Sequence, residues 1–216
     1  MAMNAAMAAV LADWLGAERD DINAGLAAFR GVERRMQPLA DLPTSDMGFA
    51  RLWDDYGHHP TEIDATLRAL RRFEPTLADA PRPADAPRSV ANPAAASPSA
   101  SPPTGRLICV FQPHQHSRTR FLLDEFAQSF SAADLVVVPD IYFVRDSAIE
   151  KTKVSAADLV DRLRERGVDA MHLYPFQAIA DQLRAIARNG DVIVTMGDGP
   201  VWKVAAMLIA PPTPPA

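Results

Sequence analysis

The chain has a single cysteine, Cys109, set in the apolar run Leu107-Ile108-Cys109-Val110-Phe111. No intrachain disulfide can form, and a buried structural thiol is expected, which fits a reducing cytoplasm. Nowhere do about 20 consecutive apolar residues occur, the length that a membrane-spanning helix requires. Met1 to Val10 lack the basic start of a signal peptide, and Asp13 and Glu18 soon interrupt the apolar stretch. Neither membrane insertion nor secretion is expected. Cations are not in excess: 22 Lys and Arg against 27 Asp and Glu give a net charge of -5. That argues against a general nucleic-acid surface while leaving room for a local basic pocket that binds a phosphorylated ligand. Any Gly-Lys-Ser or Gly-Lys-Thr sequence is missing too, so the chain has no lysine-bearing phosphate loop. Gly197-x-Gly199 lacks both the lysine and a third glycine, and a tight strand-to-helix turn explains it.

What is present suffices for one full domain plus a smaller element: 216 residues, 48% of them hydrophobic. Met3, Met7, Val10, Leu11 and Trp14 recur at helical spacing, Gly16 supplies a stop, and Asp20 or Asp21 can cap a second helix carrying Ile22, Leu26 and Phe29. Two such helices cannot bury both apolar faces by themselves and need a partner surface. From about Pro43 short apolar segments alternate with amphipathic helices, the pattern of an open α/β sheet with helical crossovers.

Strands are predicted at Phe49 to Trp53, Leu107 to Phe111, Leu135 to Val138, Ala170 to Leu173 and Val192 to Met196, with a mostly parallel sheet. Helices are predicted from Pro60, with Ile63, Leu67, Leu70 and Phe73 on one face, and from Ser117 as N-cap, with Leu123, Phe126 and Phe130 inward. Three more are predicted at Ala156 to Arg166, Phe176 to Arg188 and Pro200 to Ile209. Between Pro75 and Thr104 stand eight prolines and no aromatic residue. That segment reads as a solvated loop or a Pro-rich docking stretch, and Pro211 to Ala216 as a similar tail. The domain reading is therefore 1–42 helical, 43–210 α/β with a disordered insertion at 75–104, and 211–216 tail.

Two loops gather polar chemistry. Asp54-Asp55-Tyr56-Gly57-His58-His59-Pro60-Thr61-Glu62 and Gln112-Pro113-His114-Gln115-His116-Ser117-Arg118-Thr119-Arg120 both lie between a strand and a helix. Ligands of open α/β sheets bind beyond the carboxyl ends of the strands, so both loops should meet in one site. Arg118 and Arg120 fall in a first helical turn, where the macrodipole disfavours cations, so they ask for an anion, a substrate carboxylate or phosphate, or for surface acids such as Asp124. Asp54 and Asp55 suit a ribose, a magnesium shell or simple capping. Zinc on His58, His59, His114 and His116 is the weaker alternative, because adjacent histidines rarely share an ion and no cysteine lies in a suitable loop.

Asp-Asp-Tyr-Gly-His-His-Pro-Thr-Glu, followed by Phe-Gln-Pro-His and Ser-Arg-Thr-Arg, resembles the C-terminal domain of the Mur ligases that join L-alanine to UDP-N-acetylmuramate in peptidoglycan synthesis. Upstream, Asn4-Ala5-Ala6-Met7-Ala8-Ala9 is similar to the end of the family's His-Asn-x-x-Asn helix, and Gly31-Val32-Glu33-Arg34-Arg35 to its Gly-Val-x-Arg-Arg segment. The resemblance covers most of the chain outside the Pro/Ala insertion and the tail. It implies a Rossmann-like open sheet preceded by a helical remnant of a central ATPase domain. It also implies an ATP- and Mg2+-dependent ligase acting on UDP-N-acetylmuramate and L-alanine through an acyl phosphate.

By the same resemblance Asn4 would lie near the adenine, and Arg34, Arg35 and Asp55 near the nucleotide phosphates and ribose. His58, His114, Gln115 and Arg118 would surround the alanine and the acyl phosphate, with His58, His114 and Arg118 catalytic. Tyr56 would sit at a subunit contact, which makes a homodimer one implied partner; the family's N-terminal and central domains are others. Gln115 stands where an arginine is usual, Tyr142-Phe143-Val144-Arg145-Asp146 replaces Tyr-x-Ala-Gly-Glu, and Gly197-Asp198-Gly199-Pro200 replaces Gly-Ala-Gly-Asp. Lacking the phosphate loop, the chain by itself is expected not to ligate alanine. A non-catalytic module that binds a nucleotide or an amino acid is the alternative from another class.

Overall fold

A computed structural model describes residues 2–78 and 105–210. Most of the predicted Pro/Ala-rich loop and the tail lie outside them. The chain divides into two compact units, 1–33 and 34–216.

The first unit is the expected helical pair, α1 (Ala2–Trp14) and α2 (Arg19–Ala28). Gly16 ends α1 in the left-handed region at φ 87°, which glycine adopts without a Cβ clash. Neither Asp20 nor Asp21 caps α2: Glu18 holds that position, and both aspartates lie in the first turn, where they favour the positive end of the helix. Met3, Met7, Val10, Leu11 and Trp14 line one apolar face of α1 and stay exposed.

The second unit is a sheet of six described strands: β1 (Gln37–Pro43), β2 (Phe49–Asp55), β3 (Leu107–Phe111), β4 (Leu135–Val138), β5 (Ala170–His172) and β6 (Val192–Met196). Their order is β1-β2-β6-β3-β4-β5. Only β1 runs antiparallel to its neighbour, so the expected open, mostly parallel α/β sheet is what forms. Strand β1 lies upstream of position 43, so the sheet takes in residues that the sequence reading left with the helical part. It is an edge strand, where Pro38 and Pro43 cost no ladder bond in the interior, and its register slips between Pro38 and Ala40.

Helices cover both faces: α3 (Pro60–Phe73), α4 (Pro75–Ala78), α5 (His116–Phe121), α6 (Leu123–Ser129), α7 (Ala156–Glu165), α8 (Phe176–Ile186) and α9 (Trp202–Ile209). Side chains alternate along each buried strand. Leu107, Cys109 and Phe111 join Val192, Val194 and Met196 under α3, α6 and α7, while Ile108, Val110 and Ile193 face α8 and α9. Cys109 is fully buried, as expected, and burial pushes its thiol far up. Phe111 anchors the first layer, with ring centroids 5.4 Å from Phe126 and 5.2 Å from Phe130. A buried phenylalanine of this kind contributes about 3 kcal/mol.

Three local expectations change. Phe73 is exposed; Leu77 of α4 is buried beside Leu70, inside the stretch read as structureless. Ser117 is not an N-cap: α5 starts at His116, and the Ser117 amide donates to Asp146, which the sequence places 29 residues away. The long helix expected from Ser117 breaks at Leu122 into α5 and α6.

Candidate functional site

Strand order brings the two polar loops together. β6 lies between β2 and β3 and all three are parallel, so the segments after Asp55, Phe111 and Met196 leave the sheet at one end, side by side.

The loop after β2 sorts its two imidazoles. His59 is spent on structure: it is the N-cap of α3, its Nδ1 accepting from the Thr61 amide at 3.4 Å ahead of Pro60 and Glu62 in the first turn. Glu62 accepts the amides of His58 at 3.1 Å and His59 at 3.2 Å and also pairs with Arg35. These bonds hold its carboxyl below the usual range against the opposing effect of burial. His58 faces the site instead. Its Nδ1 is 3.2 Å from the Tyr56 carbonyl, which can only accept, so Nδ1 carries the proton and Nε2 keeps a lone pair.

The loop after β3 is pinned at both ends. The Gln112 amide donates to Met196 O and its Nε2 to Asp140 O, each at 3.0 Å. His114 makes a parallel bridge to Tyr142, and the Gln115 amide donates to Tyr142 O at 3.0 Å. Gln115 holds φ 68° as it turns the chain into α5. That conformation costs a non-glycine residue on the order of 1 kcal/mol.

Arg118 and Arg120 take different roles. Arg120 pairs with Glu150 at 3.0 Å, not with Asp124, whose partner is Arg162. Arg118 is half-buried in the first turn of α5, and its Nη1 is buried with no hydrogen-bond partner among the described residues. A buried guanidinium N–H without a partner is a strong donor to an anion. Its charge reaches both histidines. Burial chiefly lowers the His114 pKa, with Arg118, His58 and Arg145 adding to it; burial also lowers that of His58, with Arg118 and Arg35 adding against Glu62. The structure thus gathers His58, His114 and Arg118 into one cluster of a cation and two neutral imidazoles.

The remaining predicted residues are placed less uniformly. Asp54 accepts Arg34 Nε at 2.8 Å and the Thr195 hydroxyl at 2.6 Å, and Arg34 also donates to Gly197 O at 2.7 Å. Asp55 accepts the amides of Gly57 at 2.6 Å and Met36 at 2.8 Å; burial raises its pKa despite these bonds. Each carboxylate oxygen keeps a second lone pair, but Asp55 is only 2% exposed, which leaves little access for a ribose hydroxyl or a magnesium shell. Arg34 and Arg35 both stack on Tyr56, at 5.1 and 5.5 Å from the ring centroid. Arg35 is the more exposed of the two, and its side chain pairs with Glu62. Asn4 lies in the other unit, exposed on α1.

Two residues named within sequence motifs were given no role there. Gln112 ties three strand ends together: a Cβ on Gly197, at φ 140°, would lie 2.7 Å from its carbonyl oxygen, and one on Gly199 2.7 Å from its Oε1. Close packing, against the Gln112 backbone at Gly197 and against the Gln112 and Tyr142 side chains at Gly199, accounts for both glycines. Asp198, held between them, places Oδ2 3.5 Å from His114 Nε2. The available signal was its position at the carboxyl end of the last strand. Among the described residues no three of His, Cys, Asp and Glu gather as a metal site, and no helix is long and apolar enough to cross a membrane.

Known proteins resemble this chain in sequence and in fold. Residues 84–199 match the family model described as Mur ligase, glutamate ligase domain. A UDP-N-acetylmuramate–L-alanine ligase of Mycobacterium sp. (strain JLS) is 38% identical over 210 residues, covering 97% of this chain and 36% of that protein. One from Acetivibrio thermocellus is 34% identical over 195 residues, covering 90% of this chain and 34% of that protein. The crystal structure of a UDP-N-acetylmuramate-alanine ligase from Thermotoga maritima superposes with a TM-score of 0.63 at 20% identity, over 96% of this chain and 36% of that one, which supports the fold. The chain therefore spans about a third of the length of these relatives. On this evidence, together with the two histidine loops at the strand ends, the chain belongs to the Mur ligase family.

Proposed function

We propose that this chain is the C-terminal part of an ATP-dependent ligase that adds L-alanine to UDP-N-acetylmuramate in peptidoglycan synthesis. The observation that carries the proposal is the buried Nη1 of Arg118, without a hydrogen-bond partner among the described residues, beside two neutral imidazoles at the strand ends. An amino acid supplies what this cluster lacks: its α-carboxylate matches the Arg118 guanidinium.

In this reading Arg118 orients the alanine, and the lone pair on His58 Nε2 takes a proton from its ammonium group. The free amine then attacks the carbonyl carbon of the acyl phosphate, the new C–N bond forms, and phosphate leaves with the electrons of the C–O bond and takes up the second proton that the nitrogen sheds, departing as hydrogen phosphate. ATP, with Mg2+, supplies the phosphoryl group that activates the sugar carboxylate. Arg35 would meet a nucleotide phosphate, and Asp54 would keep Arg34 and the loop after β6 in place. Holding both reactants in a fixed geometry supplies much of the acceleration in such chemistry.

The test is ligation by the native gene product purified from its own cells. Phosphate release that requires both UDP-N-acetylmuramate and L-alanine is expected, whereas the 216-residue chain assayed alone should release none. A native product that turns over without dependence on either substrate would overturn the proposal.

A further inference from the structure

Asp198 lies in the loop after β6, beside His114. Strand order sets its loop between those of His58 and His114, and its carboxylate lies 3.5 Å from His114 Nε2, with its side chain 24% exposed and that of His114 12%. The loop cannot easily shift away, because the Gly197 amide donates to Asp55 O, Arg34 holds Gly197 O, and Gly197 and Gly199 both pack against Gln112. His114 is a weak partner for this carboxylate, since burial and the Arg118 charge keep its ring neutral. One cation, Arg118, whose charge acts on the His114 ring and whose Nη1 has no partner among the described residues, and one anion, Asp198, thus bear on the same imidazole. An α-amino acid is a zwitterion whose opposite charges are held on one carbon, and it complements such a pair.

Resting on the amino-acid reading above, we propose that Asp198 is a specificity-determining residue: its carboxylate accepts the α-ammonium group of the incoming amino acid while Arg118 takes the α-carboxylate. Asp198 would then select a free, unblocked amino acid over a simple carboxylate of the same size, at a site where Gln115 provides no second cation.

The experiment is a titration of the labelled 216-residue chain by NMR, following the imidazole signals of His58 and His114, with L-alanine and with propionate, which is alanine without its ammonium group. The two ligands are compared on the native chain and on D198N, whose amide spectrum outside this loop should be unchanged. The native chain should bind L-alanine about tenfold more tightly than propionate, as expected for a charge-assisted hydrogen bond, and D198N should bind the two equally. Equal binding by the native chain, or a preference retained in D198N, overturns the role of Asp198 and leaves the Arg118 site standing. If neither ligand perturbs the histidines, both readings are overturned.

Discussion

Replacing Asp54 with alanine removes the acceptor that holds Arg34 and Thr195 at the ends of β2 and β6. In the native chain Oδ2 receives Arg34 Nε at 2.8 Å and Oδ1 receives the Thr195 hydroxyl at 2.6 Å. The Asp54 side chain is 4% exposed and that of Arg34 24%. Removing one partner of a fully buried ion pair costs about 3–5 kcal/mol, but Arg34 keeps some water and its bond to Gly197 O, which reduces the loss. The Thr195 hydroxyl, fully buried, loses its close acceptor and adds about 1 kcal/mol. D54A should therefore destabilise the α/β unit by about 3 kcal/mol. Equilibrium urea unfolding, followed by the fluorescence of Trp53 and by circular dichroism, reads this as a midpoint lowered by about 1 M with an unchanged slope. D54N, which keeps an oxygen for Thr195, should lose less than half as much. A D54A midpoint within experimental error of the native chain would refute the reasoning, because it would mean that the network contributes nothing to the strand ends.

Arg118→Met removes a buried charge whose Nη1 has no partner among the described residues, so stability should hold or rise by about 1 kcal/mol while carboxylate binding is lost. In the same variant the NMR titration midpoints of His58 and His114 should move up toward the usual 6.5, because the Arg118 charge lowers both. His58, His114 and His116 all have depressed pKa values in the folded chain, chiefly through burial. Just below pH 6.5 the unfolded chain therefore binds more protons than the folded one. Their contribution to stability is whole above that value and falls as the pH is lowered through it, so urea midpoints should decline from pH 7 to pH 5. Midpoints that rise over this interval would contradict the placement of these rings. Gly105→Ala should cost about 2–3 kcal/mol by thermal or urea unfolding, because its Cβ would overlap the backbone oxygen of Gly190, which cannot swing aside.

Buried parallel strands were readable because they are continuous apolar runs: Leu107–Phe111, Leu135–Val138 and Val192–Met196 are the three central examples. β1 was not, since Gln37-Pro38-Leu39-Ala40-Asp41-Leu42-Pro43 has two prolines and no β-branched residue and becomes a strand only by pairing with β2. The start of α5 was misread because the group that takes the Ser117 amide, Asp146, is distant in sequence. His58, His114 and Arg118 were legible as residues of two loops with one context, but their meeting depends on β6 threading between β2 and β3, which no local pattern states. Asp198 was hidden for the same reason: its neighbour His114 is brought to it only by the sheet. Of the paired histidines, the sequence alone could not separate the capping ring from the one facing the site, a distinction made by which atoms the turn presents.

The most direct measurement is a crystal structure of the chain grown with L-alanine at saturating concentration. The account predicts the alanine carboxylate within hydrogen-bonding distance of Arg118 Nη1, beside His58 and His114. Alanine bound elsewhere, with Arg118 Nη1 taken up by a side chain of the protein, would contradict it.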